Sequence, residues 1–165
     1  MTNRPAIVAQ CRIDTPLGPV TAAATATGLA GLWFDGQRHH PGPIDAPDQP
    51  DHPVLAATAS ALAAYFSGQP STLPPLDLAG TPFQRAVWQV LLAIAPGQTR
   101  RYGEVAAAAG RPAAVRAAGA AIGRNPVSVL VPCHRVVGHD GGLTGYAGGL
   151  PRKAALLALE GAAAR

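Results

Sequence analysis

YGEVAAAAGRPAAVRAAGAAIGRNPVSVLVPCHRVV, residues 102–137, settles how the second half of this chain is built. Tyr102–Ala109 and Ala113–Gly123 read as two short helices, and Gly110-Arg111-Pro112 leaves room only for a tight turn between them. Their lengths and the turn match a helix-turn-helix. The second helix presents Ala113, Ala114, Ala117, Ala118, Ala120 and Ala121, with Arg116 as its one long polar side chain before Arg124. So small a surface lets another backbone come close. The pattern leaves open whether that backbone lines a nucleic-acid groove or belongs to a second helix, since alanine is also the strongest helix former. Val129–Val131 reads as a short buried strand running into Pro132-Cys133-His134-Arg135.

Upstream, Thr81-Pro82-Phe83-Gln84 starts a helix for a stated reason. Thr81 caps, Pro82 needs no amide donor at the first position, and Gln84 closes a capping box. Phe83, Val87, Val90/Leu91 and Ile94 then share a face until Pro96-Gly97. Downstream, a glycine-rich loop spans Gly138–Gly149, and Pro151–Glu160 reads as a helix with Leu156, Leu157 and Leu159 turned inward. The first third is different. Ile7–Asp14, Pro19–Ala24 and Leu29–Phe34 read as strands joined by tight turns, an antiparallel sheet. Residues 35–53 form a Pro-rich loop, Val54–Ser67 a helix with Leu55, Ala59, Leu62 and Phe66 on one face, and residues 69–80 a linker. The expected class is α/β (α+β): an N-terminal sheet lobe, 1–80, and a mostly helical C-terminal lobe, 81–165.

Charge divides at the same place. Residues 1–80 carry three Arg and six Asp, net −3; residues 81–165 carry nine Arg and one Lys against Glu104, Asp140 and Glu160, net +7. A basic half beside an acidic one points to a polyanion on one face, although twelve Arg to one Lys in so Ala-, Gly- and Pro-rich a chain also fits a codon bias. No apolar run approaches the roughly 18 residues of a membrane span, and MTNRPAIVAQ lacks a secretory apolar stretch. Two cysteines, Cys11 and Cys133, without a CxxC argue against a disulfide framework or a zinc finger. The expectation is a cytoplasmic protein with reduced thiols and no membrane partner. His39, His40 and His52 lack a spaced Cys or acidic partner and read as solvated loop residues, so no metal is expected.

A thiol attacks as thiolate, and a reactive one needs a base or a cation beside it. Cys133 is followed by His134 and Arg135, but neighbours on an extended segment point to opposite faces, so sequence adjacency leaves an inert buried thiol open.

The ordered series Thr81-Pro82-Phe83-Gln84, Val87-Trp88, Tyr102, Arg116 with Gly119, Asn125-Pro126, Pro132-Cys133-His134-Arg135-Val136, Leu143-Thr144-Gly145-Tyr146-Ala147-Gly148-Gly149, Lys153 and Leu156-Leu157 up to Glu160 resembles the O6-alkylguanine-DNA alkyltransferases (methylated-DNA–protein-cysteine methyltransferases). The resemblance covers residues 81–161; the first eighty residues resemble that family's variable, ribonuclease H-like N-terminal lobe only loosely. It implies DNA repair by direct reversal: Cys133 takes an alkyl group from guanine O6, and from thymine O4, once per molecule and without a cofactor. By the same resemblance His134 accepts the thiol proton through a water, Glu160 polarises His134, Asn125 braces the turn, and Tyr102 donates to the leaving base. Carbonyls of Cys133 and Val136 and the amide of Ala147 would hold the base, with Ser128, Tyr146 and Lys153 completing the pocket.

The target atom lies inside the duplex, so the resemblance also implies a flipped base. The second helix would lie in the minor groove of double-stranded DNA, with Ala117 and Ala118 against the backbone, Arg116 in the vacated gap, and Arg101, Arg124 and Arg135 among the phosphate or loop contacts. A monomer suffices. Arg101 stands where many relatives have a capping Ser, Ser128 where many have Pro, and Ala147 where many have Ser. The alternatives are a non-catalytic alkylated-DNA-binding protein of the same fold, whose members lack the nucleophile, and a thiol hydrolase, which would give Arg116 and the basic half no role.

Overall fold

The computed structural model describes residues 5–162. The chain forms two compact units: one takes residues up to Ala79 together with Pro126–Leu130, the other Gly80–Asn125 and Val131 onward. No helix among the described residues is long and apolar enough to cross a membrane.

In the first unit, β1 (Ala9–Ile13), β2 (Val20–Ala24) and β3 (Leu29–Phe34) form an antiparallel sheet in the order β1-β2-β3. Cys11 faces Ala22 across the pair and is buried there. Short strands leave edge amides that need partners. On the β1 side Gln10 N donates to Pro47 O at 3.0 Å, and Gln49 N donates to Gln10 O at 2.9 Å. On the β3 side Leu32 N donates to Pro126 O at 2.8 Å, and Ser128 N donates to Leu32 O at 2.9 Å. Residues from the middle of the second half thus finish the first sheet. Helix α1 (Pro53–Phe66) packs on the sheet through Val54, Leu55, Thr58, Ala61 and Leu62, and His52 caps it by accepting from Val54 N at 3.2 Å. The expected face included Ala59 and Phe66, which are only half-buried.

The second unit contains α2 (Pro82–Leu92), β4 (Arg100–Arg101), α3 (Tyr102–Ala108), α4 (Val115–Gly123), β5 (Val136–Val137) and α5 (Leu150–Leu159). The capping box of α2 forms: Gln84 N donates to Thr81 Oγ1 at 3.1 Å and Thr81 N to Gln84 Oε1 at 2.9 Å. Val87, Trp88, Leu91 and Ile94 are buried, and Trp88 Nε1 donates to Ala121 O at 2.9 Å. Helices α3 and α4 pack on α2 and on each other. The turn between them is held by Arg111, whose guanidinium lies 4.9 Å from the Phe83 ring centroid, within cation–π range.

Two further expectations are corrected, and one question left open is answered. Val129–Val131 is a turn, not a strand: Val127 makes the single bridge to Leu32, and Val129 takes φ 71° to reverse the chain. A β-branched residue at that angle costs on the order of 1–3 kcal/mol. Leu159 is exposed, because α5 turns only Lys153, Leu156 and Leu157 fully inward. The alanines of α4 divide between the two readings left open. Ala118 and Ala121 are buried, whereas Ala117 and Ala120 are exposed; Ala113, expected inside the helix, is exposed in the turn before it, since α4 starts at Val115.

Gly28 marks a close backbone approach in the first unit, where Leu29 N donates to Pro75 O at 2.7 Å. A Cβ on Gly28 would lie 2.8 Å from Leu76 C and 2.9 Å from Pro75 O, both backbone atoms that cannot swing away. Gly28→Ala is expected to destabilise the chain by about 2 kcal/mol, read as a lower urea midpoint with an unchanged slope.

Candidate active site

Cys133–Arg135 form a single turn of 3-10 helix, not the extended segment that alternation presumed. Three residues per turn send successive side chains about a third of a revolution apart. Neighbours in the chain can therefore serve different partners. Asn125, buried ahead of the turn, donates from Nδ2 to Val131 O at 2.8 Å and so fixes the backbone entering it. On the far side Val136 N donates to Cys133 O, and β5 pairs in parallel with β4.

Helix α5 ends at this turn. Its C-cap, Glu160, has a side chain only 2% exposed, and Glu160 Oε2 lies 2.7 Å from His134 Nε2. A carboxylate at that distance fixes Nε2 as the protonated nitrogen. Nδ1 then carries the lone pair. That atom is buried and has no hydrogen-bond partner among the described residues. Burial holds the imidazole below its ordinary pKa, outweighing the pull of Glu160, with the charges of Arg135 and Lys153 acting in the same direction as burial. His134 is thus a neutral base with its acceptor open.

Cys133 is buried, and burial pushes its thiol above its ordinary value. A hydrogen bond from Asn125 and the charge of Lys153 pull the other way. Lys153 is fully buried on α5. Its ammonium donates to Val136 O at 2.6 Å, Thr144 O at 2.7 Å and Gly145 O at 3.4 Å. Those bonds tie the glycine-rich loop to the strand that leaves the 3-10 turn. Burial lowers the Lys153 pKa to about 8, against the opposing pull of Cys133.

The second unit thus gathers Cys133, His134, Glu160, Asn125, Val136 and Lys153. Tyr146 presents its ring to His134 nearly edge-on, at 6.5 Å between centroids, and Ala147 follows it, half-buried, in the loop. Tyr102 accepts from Thr144 Oγ1 at 3.1 Å through its phenolic oxygen, which leaves its own proton to be donated elsewhere. Ser128 lies in the first unit, buried, and donates to Gln37 Oε1 at 3.1 Å.

Of the residues expected at DNA, Arg101, Arg116, Ala117 and Arg124 are exposed. Two are not. Ala118 is fully buried, because its place on α4 turns it into the unit's core. Arg135 is 7% exposed and bonded to Glu160 and to Ile94 O, so its guanidinium is spent inside the protein. Arg101 is the N-cap of α3 and makes no side-chain cap; only the Glu104 half of that box forms, with Arg101 N donating to Glu104 Oε1 at 3.1 Å. Sequence reasoning missed Lys153 as the cation beside the thiol, although one lysine among twelve arginines was a signal available to it.

Comparison with known proteins gives a consistent result. Residues 82–162 match the family described as 6-O-methylguanine DNA methyltransferase, DNA binding domain, and residues 11–79 match its ribonuclease-like domain. The methylated-DNA–protein-cysteine methyltransferase of Mycobacterium leprae is 45% identical over 152 residues, covering 91% of each chain. That of Methanosarcina barkeri is 44% identical over 151 residues, covering 90% of this chain and 94% of the relative. The crystal structure of Mycobacterium tuberculosis OGT in complex with DNA superimposes with a TM-score of 0.84 at 44% identity over 93% of both chains.

The geometry predicts how the free thiol titrates. Its modification by iodoacetamide is expected to keep accelerating above pH 9, since burial raises the thiol from that ordinary value. Lys153→Met removes the cation that favours the thiolate, and is expected to slow modification at pH 7, where Lys153 is still mostly charged, about tenfold, one pKa unit. Mass spectrometry of the Cys133 peptide reads the rate.

Proposed function

Because the chain belongs to the 6-O-methylguanine DNA methyltransferase family, we propose that Cys133 is the sulfur on which its chemistry is done. The activity itself is repair of alkylated DNA by direct reversal: the protein is a methyltransferase that moves an alkyl group from DNA to a cysteine of its own chain. Between the two cysteines one observation carries the choice. Cys133 adjoins a neutral imidazole whose free lone pair and whose carboxylate partner are both in place, while Cys11 is buried in β1 of the other unit.

The reaction follows from the groups present. Sγ of Cys133 attacks the saturated carbon in line with its bond to guanine O6. The sulfur–carbon bond forms as the carbon–oxygen bond breaks, and that electron pair stays with the base. The thiol proton passes through a water to His134 Nδ1, and the imidazolium so formed is stabilised by Glu160. Tyr102 donates its phenolic proton towards the N3 edge as charge develops there, which stabilises the transition state more than the ground state. Once the imidazolium returns its proton to the tyrosinate through water, the net result is a thioether and a neutral guanine. The thioether has no leaving group that water displaces readily, so each molecule reacts once, and the displacement needs no cofactor. The carbonyls of Cys133 and Val136 each keep a lone pair beyond their internal partners and can accept from the exocyclic amine.

DNA is the partner of this chain. In the proposed complex α4 lies in the minor groove of a duplex, with Ala113, Ala117 and Ala120 allowing close approach. Arg116 fills the place of the flipped nucleotide, and Arg101 and Arg124 meet phosphates. Thymine O4 lesions react by the same displacement. The protein works as a cytoplasmic monomer.

Two outcomes test this. After incubation with O6-methylguanine duplex, the Cys133 peptide is expected to gain one methyl per molecule with no methanol released, and Cys133→Ala to remove no lesion. Duplex bound without modification would mark a lesion-binding protein instead. Arg116→Ala is expected to slow transfer at least tenfold while weakening duplex affinity less than threefold, read by single-turnover rates and anisotropy. Equal losses would remove the finger from the mechanism.

A further inference from the structure

Arg135 stands one residue from His134 and two from the sulfur, yet the chemistry above gives it no role. Its guanidinium is held inside the protein through all three of its nitrogens. Nε donates to Glu160 Oε1 at 2.8 Å, Nη2 to Glu160 Oε2 at 2.9 Å, and Nη1 to Ile94 O at 2.6 Å. The fork on Glu160 is bidentate, the arrangement that fixes a carboxylate in both position and plane. The same Oε2 accepts from His134 Nε2 at 2.7 Å. One buried oxygen is therefore shared between a permanent cation and the base.

We propose that Arg135 is a positioning residue that sets the basicity of His134, by holding Glu160 and neutralising most of its charge. This rests on reading His134 as the base. Glu160 is nearly inaccessible to water, and a buried carboxylate must be compensated. Without Arg135, the nearest compensation is a proton on His134 Nδ1, which would occupy the lone pair that the thiol needs. With Arg135 in place the carboxylate is already paired, and an imidazolium would gain less from it.

The other groups around the ring act consistently. Glu160 and Lys153 face it from α5, Cys133 and Arg135 belong to its own turn, and Tyr146 lies edge-on from the loop. Among these, Glu160 alone favours the charged ring, so control of Glu160 is control of His134.

The test titrates His134 by nitrogen NMR in the full chain, and measures single-turnover methyl transfer against pH, for the native protein, Arg135→Gln and Arg135→Lys. Arg135→Gln is expected to raise the His134 midpoint by about one pH unit and to cut transfer about tenfold on the acid limb, with the rates converging at high pH. Arg135→Lys, which keeps the charge but not the fork, is expected to fall between. If Arg135→Gln does not fold, a rise in Arg135→Lys carries the test. A folded variant with an unmoved or lowered midpoint overturns the proposal. A raised midpoint that the rate ignores supports the proposal and removes His134 as the base.

Discussion

A single buried carboxylate organises the second unit. Glu160 has almost no access to water, so it survives as an anion only with its lone pairs matched. Arg135 Nε, Arg135 Nη2 and His134 Nε2 are among the donors that match them. Two of the three residues in the 3-10 turn are thus committed to the end of α5, and the turn's geometry frees the remaining one, Cys133, to take another direction. The carboxylate also joins elements distant in sequence. Arg135 reaches on to Ile94 O beyond the end of α2, so α2, the turn and α5 are tied through one guanidinium.

Lys153 has the matching role, about two helical turns before Glu160. It closes three carbonyls around an ammonium and so holds the loop of Thr144 and Gly145 to Val136. Tyr102 joins this set through Thr144 Oγ1, which brings the start of α3 to the same loop. The proposed nucleophile, base and donor to the leaving group are therefore held by backbone carbonyls and one carboxylate, with few long exposed side chains. Such a site is rigid because the groups that support it are already satisfied within the protein.

What could be read from the sequence was what depends on near neighbours. The Thr81–Gln84 capping box, the hairpins of the first sheet, the short turn between α3 and α4 and the helix that ends at Glu160 all follow from residues within a few positions of one another. The cysteine and histidine stand out as sequence neighbours, the carboxylate and the roles come from the resemblance, and the approach of all three is not derivable from spacing. Distant pairing was hidden. Arg135 looked like a phosphate contact because its partner lies 25 residues further on and Ile94 lies 41 residues back. Val129–Val131 looked like a strand because three valine or leucine residues favour one, but the single bridge at Val127 and the left-handed angle at Val129 override that preference. The burial of Ala118 is legible in the sequence. Its position relative to Ala121 and Ile122 already placed it on the packed side of α4.

Directions of charge explain why so buried a thiol is safe at rest. Burial raises Cys133 and lowers His134, so at neutral pH both favour their uncharged forms. An ion pair between them is disfavoured in the empty site, and stray electrophiles meet a thiol. Asn125 and Lys153 oppose this bias at the sulfur, and Glu160 opposes it at the ring. The site is therefore balanced against ionisation by burial while each group that would stabilise the ions is already in place. On the proposed mechanism, a flipped base tips that balance by adding what the free protein lacks, an electrophilic carbon whose departing oxygen lies with Tyr102 within reach of a proton. Charge then develops only as bonds change, and the binding energy is spent where it lowers the barrier.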